Sequence, residues 1–468
     1  MGQTLVDKIW AQHSVKALGD VTLLAIDRIL LHERTGGVAL RSLRDSGRGV
    51  RGVERVFGIM DHVVDTFPGR TDKTIMPTGA DFIRTFREEC ARAGITLFDI
   101  GDPRQGIVHV VSPEQGIVQP GVTLIAPDSH TCTQGALGAL AWGVGSSEAE
   151  HALATGVLRV SKPANMRIRV DGVLGPGVTV KDLALHILAV LSAGGGKGCA
   201  IEYCGEAIAA LDLEARMTLC NMAAELSAFN AIIAPDDKTI AYLKGRPFAP
   251  QGALWDQAEA YWRTLASDVD AVFDRDIHVN AGDVAPMVTW GASPQQASPI
   301  NARVPAYQEV AQRESRESYQ RGLDYMALEA GAPLEGLAID AAFIGSCTNS
   351  RISDLRAAAA VLKGRKVAAR VKAICVPGSS QVKLQAEAEG IDKVFADAGF
   401  EWRESGCSMC FFAGGESFAP KARVVSSTNR NFENRQGHGT RTHLASPAVV
   451  AASAIAGAIA DPRKLKVS

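Results

Sequence analysis

Three cysteines in the C-terminal third of the chain have the clearest potential for chemistry. Cys407 and Cys410 form a Cys-x-x-Cys pair, and Cys347 lies further upstream. Thiolates are soft ligands, and a loop of this kind can place two of them on one metal centre. A structural zinc site typically has a second short ligand pair, and a thioredoxin-type pair lies beside the first strand of a small domain. Because neither context is present, the spacing favours a metal or cluster site, while a redox pair or metal-free thiols stay open.

Imidazole and carboxylate groups form a second set in the first part of the chain. They occur as Asp61-His62, His109 and Asp128-Ser129-His130, each within a predicted strand or near its end. Open α/β sheets bind ligands at strand ends, and an adjacent carboxylate raises the basicity of an imidazole. Single histidines are usually structural, but three such groups in one region favour proton transfer.

Two further stretches present polar groups suited to substrate binding. Asn221 and Glu225 lie one turn apart on a helix predicted over residues 217–225, where apolar neighbours favour a buried role over a solvated face. Asn429, Arg430 and Arg435 belong to an asparagine-rich loop. Since guanidinium binds carboxylate through two parallel hydrogen bonds, this loop suits carboxylate recognition, with a plain surface loop as the alternative.

Short apolar strands alternate with helices, which predicts an α/β fold that would position these groups. Residues 106–111 predict a strand with His109 in its middle, and residues 122–126 predict a strand that leads into Asp128. In the last third, a strand over residues 338–344 leads through Cys347 into a helix over residues 354–362.

A polar segment over residues 301–321 is the best candidate for a domain boundary. We predict three α/β domains, over residues 1–163, 164–300 and 301–468.

The composition is that of a globular protein of the cytoplasm. The 468 residues carry a formal net charge of −2, so no basic excess is expected to bind nucleic acid. Nine cysteines, an odd number, do not suit a secreted disulfide framework. The N-terminus lacks a signal-peptide pattern, and the apolar stretch 448–460 is too short to cross a bilayer. We therefore predict a cytoplasmic protein that binds neither membrane nor nucleic acid.

The sequence motifs around the candidate residues are specific. The stretches are FIGSCTNSR at 343–351, GCSMC at 406–410, NRNFENRQG at 429–437, DSHT at 128–131 and LCNM at 219–222. They resemble the aconitase superfamily, and most closely its branch of bacterial isopropylmalate dehydratase large subunits. The resemblance covers the whole chain. It implies a three-domain α/β/α arrangement around a central cluster, without the swivelling fourth domain of aconitases proper.

The resemblance also implies a cofactor and residue roles. A [4Fe-4S] cluster would be held by Cys347, Cys407 and Cys410, with one iron not ligated by protein. That iron would act as a Lewis acid rather than as an electron carrier. Protons would be managed by Asp61 with His62, His109 with Glu225, and Asp128 with His130. Substrate binding would involve Ser129, Asn221, Asn429, Arg430 and Arg435.

A separate small subunit that carries the swivelling domain is implied as a partner, and the chain alone is expected to be inactive. The implied activity is that of a hydro-lyase that interconverts 2- and 3-isopropylmalate by dehydration and rehydration, in leucine biosynthesis. Alternatives are a related hydro-lyase acting on 2-methylmalate, 2,3-dimethylmalate or homocitrate, and a cluster-free RNA-binding regulator. The absence of basic excess argues against the regulator.

Several positions carry residues that are unusual for this branch. The predicted cluster ligands and proton-handling residues are kept. The departures are Gly36-Gly37-Val38, Gln134, Lys197, Phe229 and Phe411-Phe412-Ala413-Gly414. Because they change charge and bulk near the expected site, they predict a changed or broader substrate preference, with drift outside the site as the plainer alternative.

Overall fold

Strands and helices alternate along the chain in the computed structural model, which describes residues 2–411 and 415–465. The strands are β1 Ser14–Leu18, β2 Val21–Ala25, β3 Arg28–His32, β4 Val56–Ile59, β5 Thr96–Phe98, β6 Thr123–Ala126, β7 Leu140–Gly143, β8 Val157–Val160, β9 Ala164–Asp171, β10 Cys199–Cys204, β11 Asn230–Ile232, β12 Arg275–Asn280, β13 Met287–Thr289, β14 Ala297–Pro299, β15 Ala341–Ile344, β16 Lys372–Cys375, β17 Phe400–Trp402, β18 Arg423–Ser426 and β19 Arg441–Leu444. The helices are α1 Leu5–His13, α2 Glu33–Asp45, α3 Gly79–Ala93, α4 Val108–Glu114, α5 Ser146–Thr155, α6 Val180–Leu191, α7 Glu206–Ala210, α8 Leu213–Met222, α9 Asp237–Leu243, α10 Ala253–Trp262, α11 Tyr307–Val310, α12 Arg316–Met326, α13 Ile352–Leu362, α14 Ser380–Ala388, α15 Ile391–Ala398 and α16 Pro447–Ala456.

Side chains at the helix starts account for several of these boundaries. Thr4 and Asp7 form a capping box at α1, and the side chains of Asp212 and Ser379 accept backbone N–H groups at the starts of α8 and α14. Such caps satisfy N–H groups that have no partner inside the helix. These helices therefore begin where the sequence places a short oxygen-bearing side chain.

The described chain forms two compact units, each assembled from separate segments. The first unit contains residues up to Val63 together with Thr78–Gly172 and Gly196–Val279. The second contains Val64–Pro77, Val173–Gly195 and the described residues from Asn280 onward. The division into three domains over residues 1–163, 164–300 and 301–468 stays a prediction.

A five-stranded parallel sheet with the order β5-β4-β3-β6-β7 is the framework of the first unit. The chain proceeds outward from β3 to β5 and then continues on the other side of β3. In open parallel sheets, ligands bind beyond the carboxyl ends of the strands, next to this reversal. His32 ends β3, Asp61 and His62 follow β4, and Asp128 follows β6. The sheet topology therefore gathers these four residues.

The second unit repeats this topology in a five-stranded parallel sheet with the order β17-β16-β15-β18-β19. Phe343, Ile374 and Val424 are fully buried and belong to one apolar cluster with Met409. The reversal again lies between the first and fourth strands, here β15 and β18. Cys347 follows β15 and Asn429 follows β18.

Three smaller sheets complete the described fold. They are β11-β10-β9-β12, the antiparallel sheet β1-β2-β8, and the antiparallel pair β13-β14. Among the described residues, no helix combines the length and the apolar character needed to cross a bilayer.

The strand predicted over residues 106–111 is wrong, because His109 lies on helix α4. The backbone N–H groups of Val110 and Val111 both donate to the carbonyl of Ile107, which begins the helix. A buried apolar run lacks the one-sided pattern that separates helix from strand, so the valines alone favoured a strand. The predicted helix over residues 217–225 is interrupted, since α8 ends at Met222 and Glu225 lies on a following 3-10 turn.

Candidate active site

His62 lies between two carboxylates in the first unit. Its Nδ1 bonds to Asp61, and its Nε2 lies 3.1 Å from Oδ2 of Asp128. Burial opposes protonation, but the charge of Asp61 and the hydrogen bonds to both carboxylates hold the pKa of His62 well above its ordinary value. His62 is therefore an imidazolium at neutral pH.

Asp128 links His62 to a second histidine. Oδ1 of Asp128 lies 2.9 Å from Nε2 of His109 and accepts the backbone N–H of His130 at 2.7 Å. Burial acts against ionisation, yet His109 and His62 together hold the pKa of Asp128 well below its usual range. Asp128 is therefore an ionised acceptor shared by two imidazoles.

The predicted pairing of His109 with Glu225 is corrected by this geometry, whereas His130 keeps a longer contact to Asp128, with its Nδ1 3.8 Å from Oδ1. His109 pairs with Asp128, and Nε2 of His130 lies 2.8 Å from Oε1 of Glu225. His109 and His130 approach from different elements, α4 and the turn after β6, so order along the chain did not reveal their partners.

Ser129 and Asn221 lie at the edge of this group. Ser129 Oγ is 3.3 Å from Nδ1 of His130. The amide of Asn221 donates to Thr133 Oγ1 at 2.8 Å, and that hydroxyl donates to the carbonyl of His130. Thus the structure brings together every predicted site residue of the first unit.

His32 and Glu33 also belong here, although sequence reasoning did not select them. The fully buried carboxylate of Glu33 accepts the backbone N–H groups of Asp61, at 3.0 Å, and of Val63. Burial, and then the charge of Asp61, raise the pKa of Glu33. A His-Glu pair directly after the apolar run of β3 was the available signal.

The ring of His32 stacks on that of His62, with centroids 3.9 Å apart and planes 15° apart. Burial, and then the charge of His62, lower the pKa of His32 to about 4, so His32 is neutral. Ligand atoms of His32, Asp61 and His62 lie within 4.8 Å of one another. Nearly parallel rings direct their lone pairs into separate planes, however, and both nitrogens of His62 already face carboxylates. The three residues therefore suit holding a proton better than binding a metal ion.

A cavity of about 670 Å³ in the first unit reaches this group. Its walls include Asp128, Ser129, Trp142 and Phe229. The rings of Trp142 and Phe229 stack with centroids 5.1 Å apart. This volume makes Asp128 accessible to a small molecule and places Phe229, one of the unusual residues, in the same cavity.

The predicted cysteines belong to the second unit. Cys347 and Cys410 are 8% and 7% exposed, and Cys407 is half-buried. Asn429 contacts two of the sulfurs, with its Nδ2 3.4 Å from Sγ of Cys347 and its Oδ1 4.0 Å from Sγ of Cys410. Ser346 Oγ lies 3.9 Å and 3.2 Å from the same two sulfurs.

The backbone beside the cysteines adopts uncommon conformations. Ser346 has φ 83° and Ser408 has φ 45°, values that side-chain-bearing residues rarely adopt. Such strain concentrates at functional sites. Cys347 and Cys410, which share Asn429 and Ser346, are soft donors that fit an iron–sulfur cluster, and Cys407 lies in the same loop as Cys410.

Arg435 lies beside this donor set. Its Nη2 is 3.7 Å from Sγ of Cys410, and its guanidinium carbon lies 4.6 Å and 5.1 Å from the ring centroids of Phe411 and Phe432. The two rings fix the guanidinium plane through cation–π contacts. Nε of Arg435 is buried without a hydrogen-bond partner among the described residues, so it can receive a carboxylate.

Lys181 supports the loop that carries Asn429 and Arg430. Lys181 is fully buried on α6, and its ammonium donates to the carbonyls of Ser427, at 3.0 Å, and Thr428, at 2.7 Å. Arg430 is half-buried in this loop, and its carbonyl accepts the Thr428 hydroxyl at 3.4 Å. No sequence pattern indicated Lys181, because the contact joins segments far apart in the chain.

The unusual residues have different surroundings. A Cβ atom on Gly36 would lie 2.7 Å from the ring of Phe86, so α2 requires a small residue there to pack on α3. Val38 is 54% exposed, and Lys197 is also exposed. Phe411 contacts Arg435, whereas residues 412–414 lie outside the described residues.

Comparison with known proteins is consistent with these features. The sequence model of the aconitase family (aconitate hydratase) matches residues 7–457. The chain is 49% identical over 466 residues to 3-isopropylmalate dehydratase large subunit 1 of Bradyrhizobium diazoefficiens, covering 99% of this chain and 97% of the relative. It is 51% identical over 469 residues to the 3-isopropylmalate dehydratase large subunit of Roseiflexus castenholzii, covering 99% of both.

Among solved structures, the holo-form of Thermococcus kodakaraensis aconitase X aligns over 91% of this chain and 89% of its own, with 13% identity and a TM-score of 0.46.

Proposed function

This chain belongs to the aconitase family, and on that premise we propose that it is the large subunit of an iron–sulfur hydro-lyase that interconverts 2- and 3-isopropylmalate in leucine biosynthesis. The observation that carries this proposal is the 49% and 51% identity, over nearly full length, to two relatives with that name.

The cofactor is a [4Fe-4S] cluster held by Cys347, Cys407 and Cys410. The shared contacts of Cys347 and Cys410 with Asn429 support this assignment. When bound with one iron free of protein ligands, such a cluster supplies a Lewis acid for the substrate hydroxyl and carboxylate.

Proton handling falls to the residues of the first unit. His62, an imidazolium between Asp61 and Asp128, is the proton donor, and the proton that a leaving hydroxyl takes is the one that Nε2 shares with Asp128 in this structure. His130, paired with Glu225, is placed to hold a water or hydroxyl proton. Glu33 and neutral His32 keep the Asp61-His62 segment in place.

Substrate carboxylates are bound by Arg430 and Arg435, with Ser129, Asn221 and Asn429 as further polar contacts. The free Nε edge of Arg435 beside Cys410 supports this role. Guanidinium binds carboxylate through parallel hydrogen bonds, which fixes orientation as well as affinity.

The partner is a separate small subunit, as the names of both relatives imply for those proteins. We propose that it carries the swivelling domain and that the enzyme works in the cytoplasm, which suits nine cysteines that are all free of disulfides.

The test is to purify the chain anaerobically with its small subunit, reconstitute the cluster, and follow both directions of the isopropylmalate interconversion. We expect activity only when both subunits are present. A fully loaded two-subunit complex that does not convert either isomer would refute the proposal.

A further inference from the structure

Gln134 is fully buried and bonds to two groups on helix α4. Its Nε2 lies 2.9 Å from Oγ of Ser112 and 3.2 Å from Nδ1 of His109. Each ring nitrogen of His109 thus has a hydrogen-bond partner: Gln134 at Nδ1 and Asp128 at Nε2.

The direction of these hydrogen bonds follows from Ser112. The Ser112 hydroxyl donates its single proton to the carbonyl of Val108 at 2.7 Å, so Oγ is left as an acceptor. The neighbouring Gln134 must then present its NH₂ group, which has one hydrogen for Ser112 and one for Nδ1 of His109. In this orientation Oε1 of Gln134 has no partner among the described residues.

A nitrogen that accepts a hydrogen bond carries no proton. Nδ1 of His109 is therefore unprotonated, and its ring proton is on Nε2, directed at Oδ1 of Asp128. Protonation of Nδ1 would bring its N–H against the Gln134 NH₂ group with no acceptor between them. Gln134 thus donates both to Ser112 and to His109, and His109 in turn donates to Asp128.

We infer that Gln134 is a positioning residue that holds His109 in the neutral, Nε2-protonated form, so that His109 is a fixed hydrogen-bond donor to Asp128 and does not itself exchange protons. Oδ2 of Asp128 then stays available to His62. The tautomer assignment stands on the contacts alone, whereas its effect on turnover rests on the proposed function.

The test uses the full-length chain with ¹⁵N-labelled histidine, and the His109 signal is assigned with a His109→Gln variant. In the unsubstituted protein we expect one bare and one protonated ring nitrogen at neutral pH. In Gln134→Glu the new carboxylate accepts at Nδ1, so both nitrogens should be protonated. Gln134→Met removes the donor, and Ser112→Ala removes the group that orients it, so both should give mixed tautomers.

A matched control is Gln296→Met, which removes another buried glutamine amide, one that donates to the carbonyl of Ser318. It should leave the His109 signals unchanged. Two protonated nitrogens in the unsubstituted protein would mean that the Gln134 amide has the reverse orientation, and the inference would fail. Unchanged His109 signals in Gln134→Met and Ser112→Ala would overturn it equally.

In the assembled enzyme, kcat of Gln134→Met should fall by roughly 10- to 100-fold with little change in KM, the range typical when a supporting partner of a functional histidine is lost. The NMR result separates failure of this inference from failure of the proposed reaction, because it needs no substrate.

Discussion

The two neighbouring carboxylates raise the pKa of His62 and so keep it protonated. Replacing one of them tests this cause. Asp61→Asn removes the nearest negative charge, so the pKa of His62 should fall toward its ordinary value. Since the raised pKa keeps His62 protonated, the alkaline limit of kcat should move to lower pH.

The measurement is kcat against pH for the assembled enzyme. Asp27→Asn is the matched control, because Asp27 forms a comparable pair with His13 in the same unit, at 2.6 Å. That variant should keep the original alkaline limit. An unmoved limit in Asp61→Asn would mean that His62 is not the proton donor.

The two arginines after β18 are expected to serve substrate binding through planar geometry. Arg430→Lys and Arg435→Lys keep the charge but lose the fork of donors. Each should lower kcat/KM by a factor of roughly 10 to 1000, about 1.4 to 4 kcal/mol. The kinetics are compared at equal cluster content.

Arg321→Lys is the control for this pair, since Arg321 is exposed and bonds Glu433 in the same loop at 2.6 Å. Its kcat/KM should be unchanged. Normal kinetics in cluster-loaded Arg430→Lys and Arg435→Lys would place both arginines outside substrate binding.

At the scale of single residues, the sequence indicated which residues belong to the site better than it indicated which residues they contact. Asp61, His62 and Asp128 were selected from their neighbours in the chain, and the structure groups them. Glu33 had only the His-Glu pair after β3 as a local signal, and Gln134 acts through contacts to another segment, α4, which its chain neighbours do not reveal. The pairing of His109 was missed for the same reason.

At the scale of elements, the strand–turn–helix around Cys347 was predictable because an apolar run stops at a glycine and a helix follows. Helix α4 was not, since residues 108–113 are all buried and show no polar face. The shared order of the two parallel sheets is set by long-range strand pairing, and it explains why both groups of candidate residues lie at strand ends.

Helix α6 stabilises the loop after β18 through Lys181. Lys181→Met leaves the carbonyls of Ser427 and Thr428 without this donor, and each buried unpaired acceptor is costly. The free energy of unfolding should fall by about 2 to 4 kcal/mol, measured by denaturant titration of the isolated chain. Lys393→Met, on the exposed surface of α15, should change it by less than about 0.5 kcal/mol. A loss no larger than that of Lys393→Met would contradict the role of Lys181.

For the whole molecule, the proposed cluster would join residues from distant parts of the chain. Anaerobic protein should contain about four irons and four labile sulfides, and Cys407→Ser should lose most of them. Cys204→Ser changes a partly exposed cysteine of the first unit and should keep both contents. Stoichiometric zinc in an active enzyme would be incompatible with the cluster.

Activity should also fall in air and return with ferrous iron and thiol, because an iron without a protein ligand is easily lost.

Substrate preference is a property of the assembled enzyme, and here the sequence departures and the structure favour different outcomes. The departures predicted a changed preference. In the structure, Gly36 has a packing reason, and Val38 and Lys197 are exposed. Phe229 is the departure that lines the same cavity as Asp128.

We therefore expect the assembled enzyme to prefer 3-isopropylmalate when this substrate competes with 2-methylmalate, 2,3-dimethylmalate and homocitrate.

Lys197→Ala should leave the ratio of kcat/KM values for these substrates unchanged, because the side chain of Lys197 is exposed. Phe229→Ala should alter that ratio by roughly 10-fold or more, since removing apolar bulk from a substrate cavity is worth about 1 to 3 kcal/mol of discrimination. Preference for one of the competing acids would instead favour the reading based on the departures. If Phe229→Ala leaves the ratio of kcat/KM values unchanged, specificity lies with residues outside this cavity, including those of the small subunit.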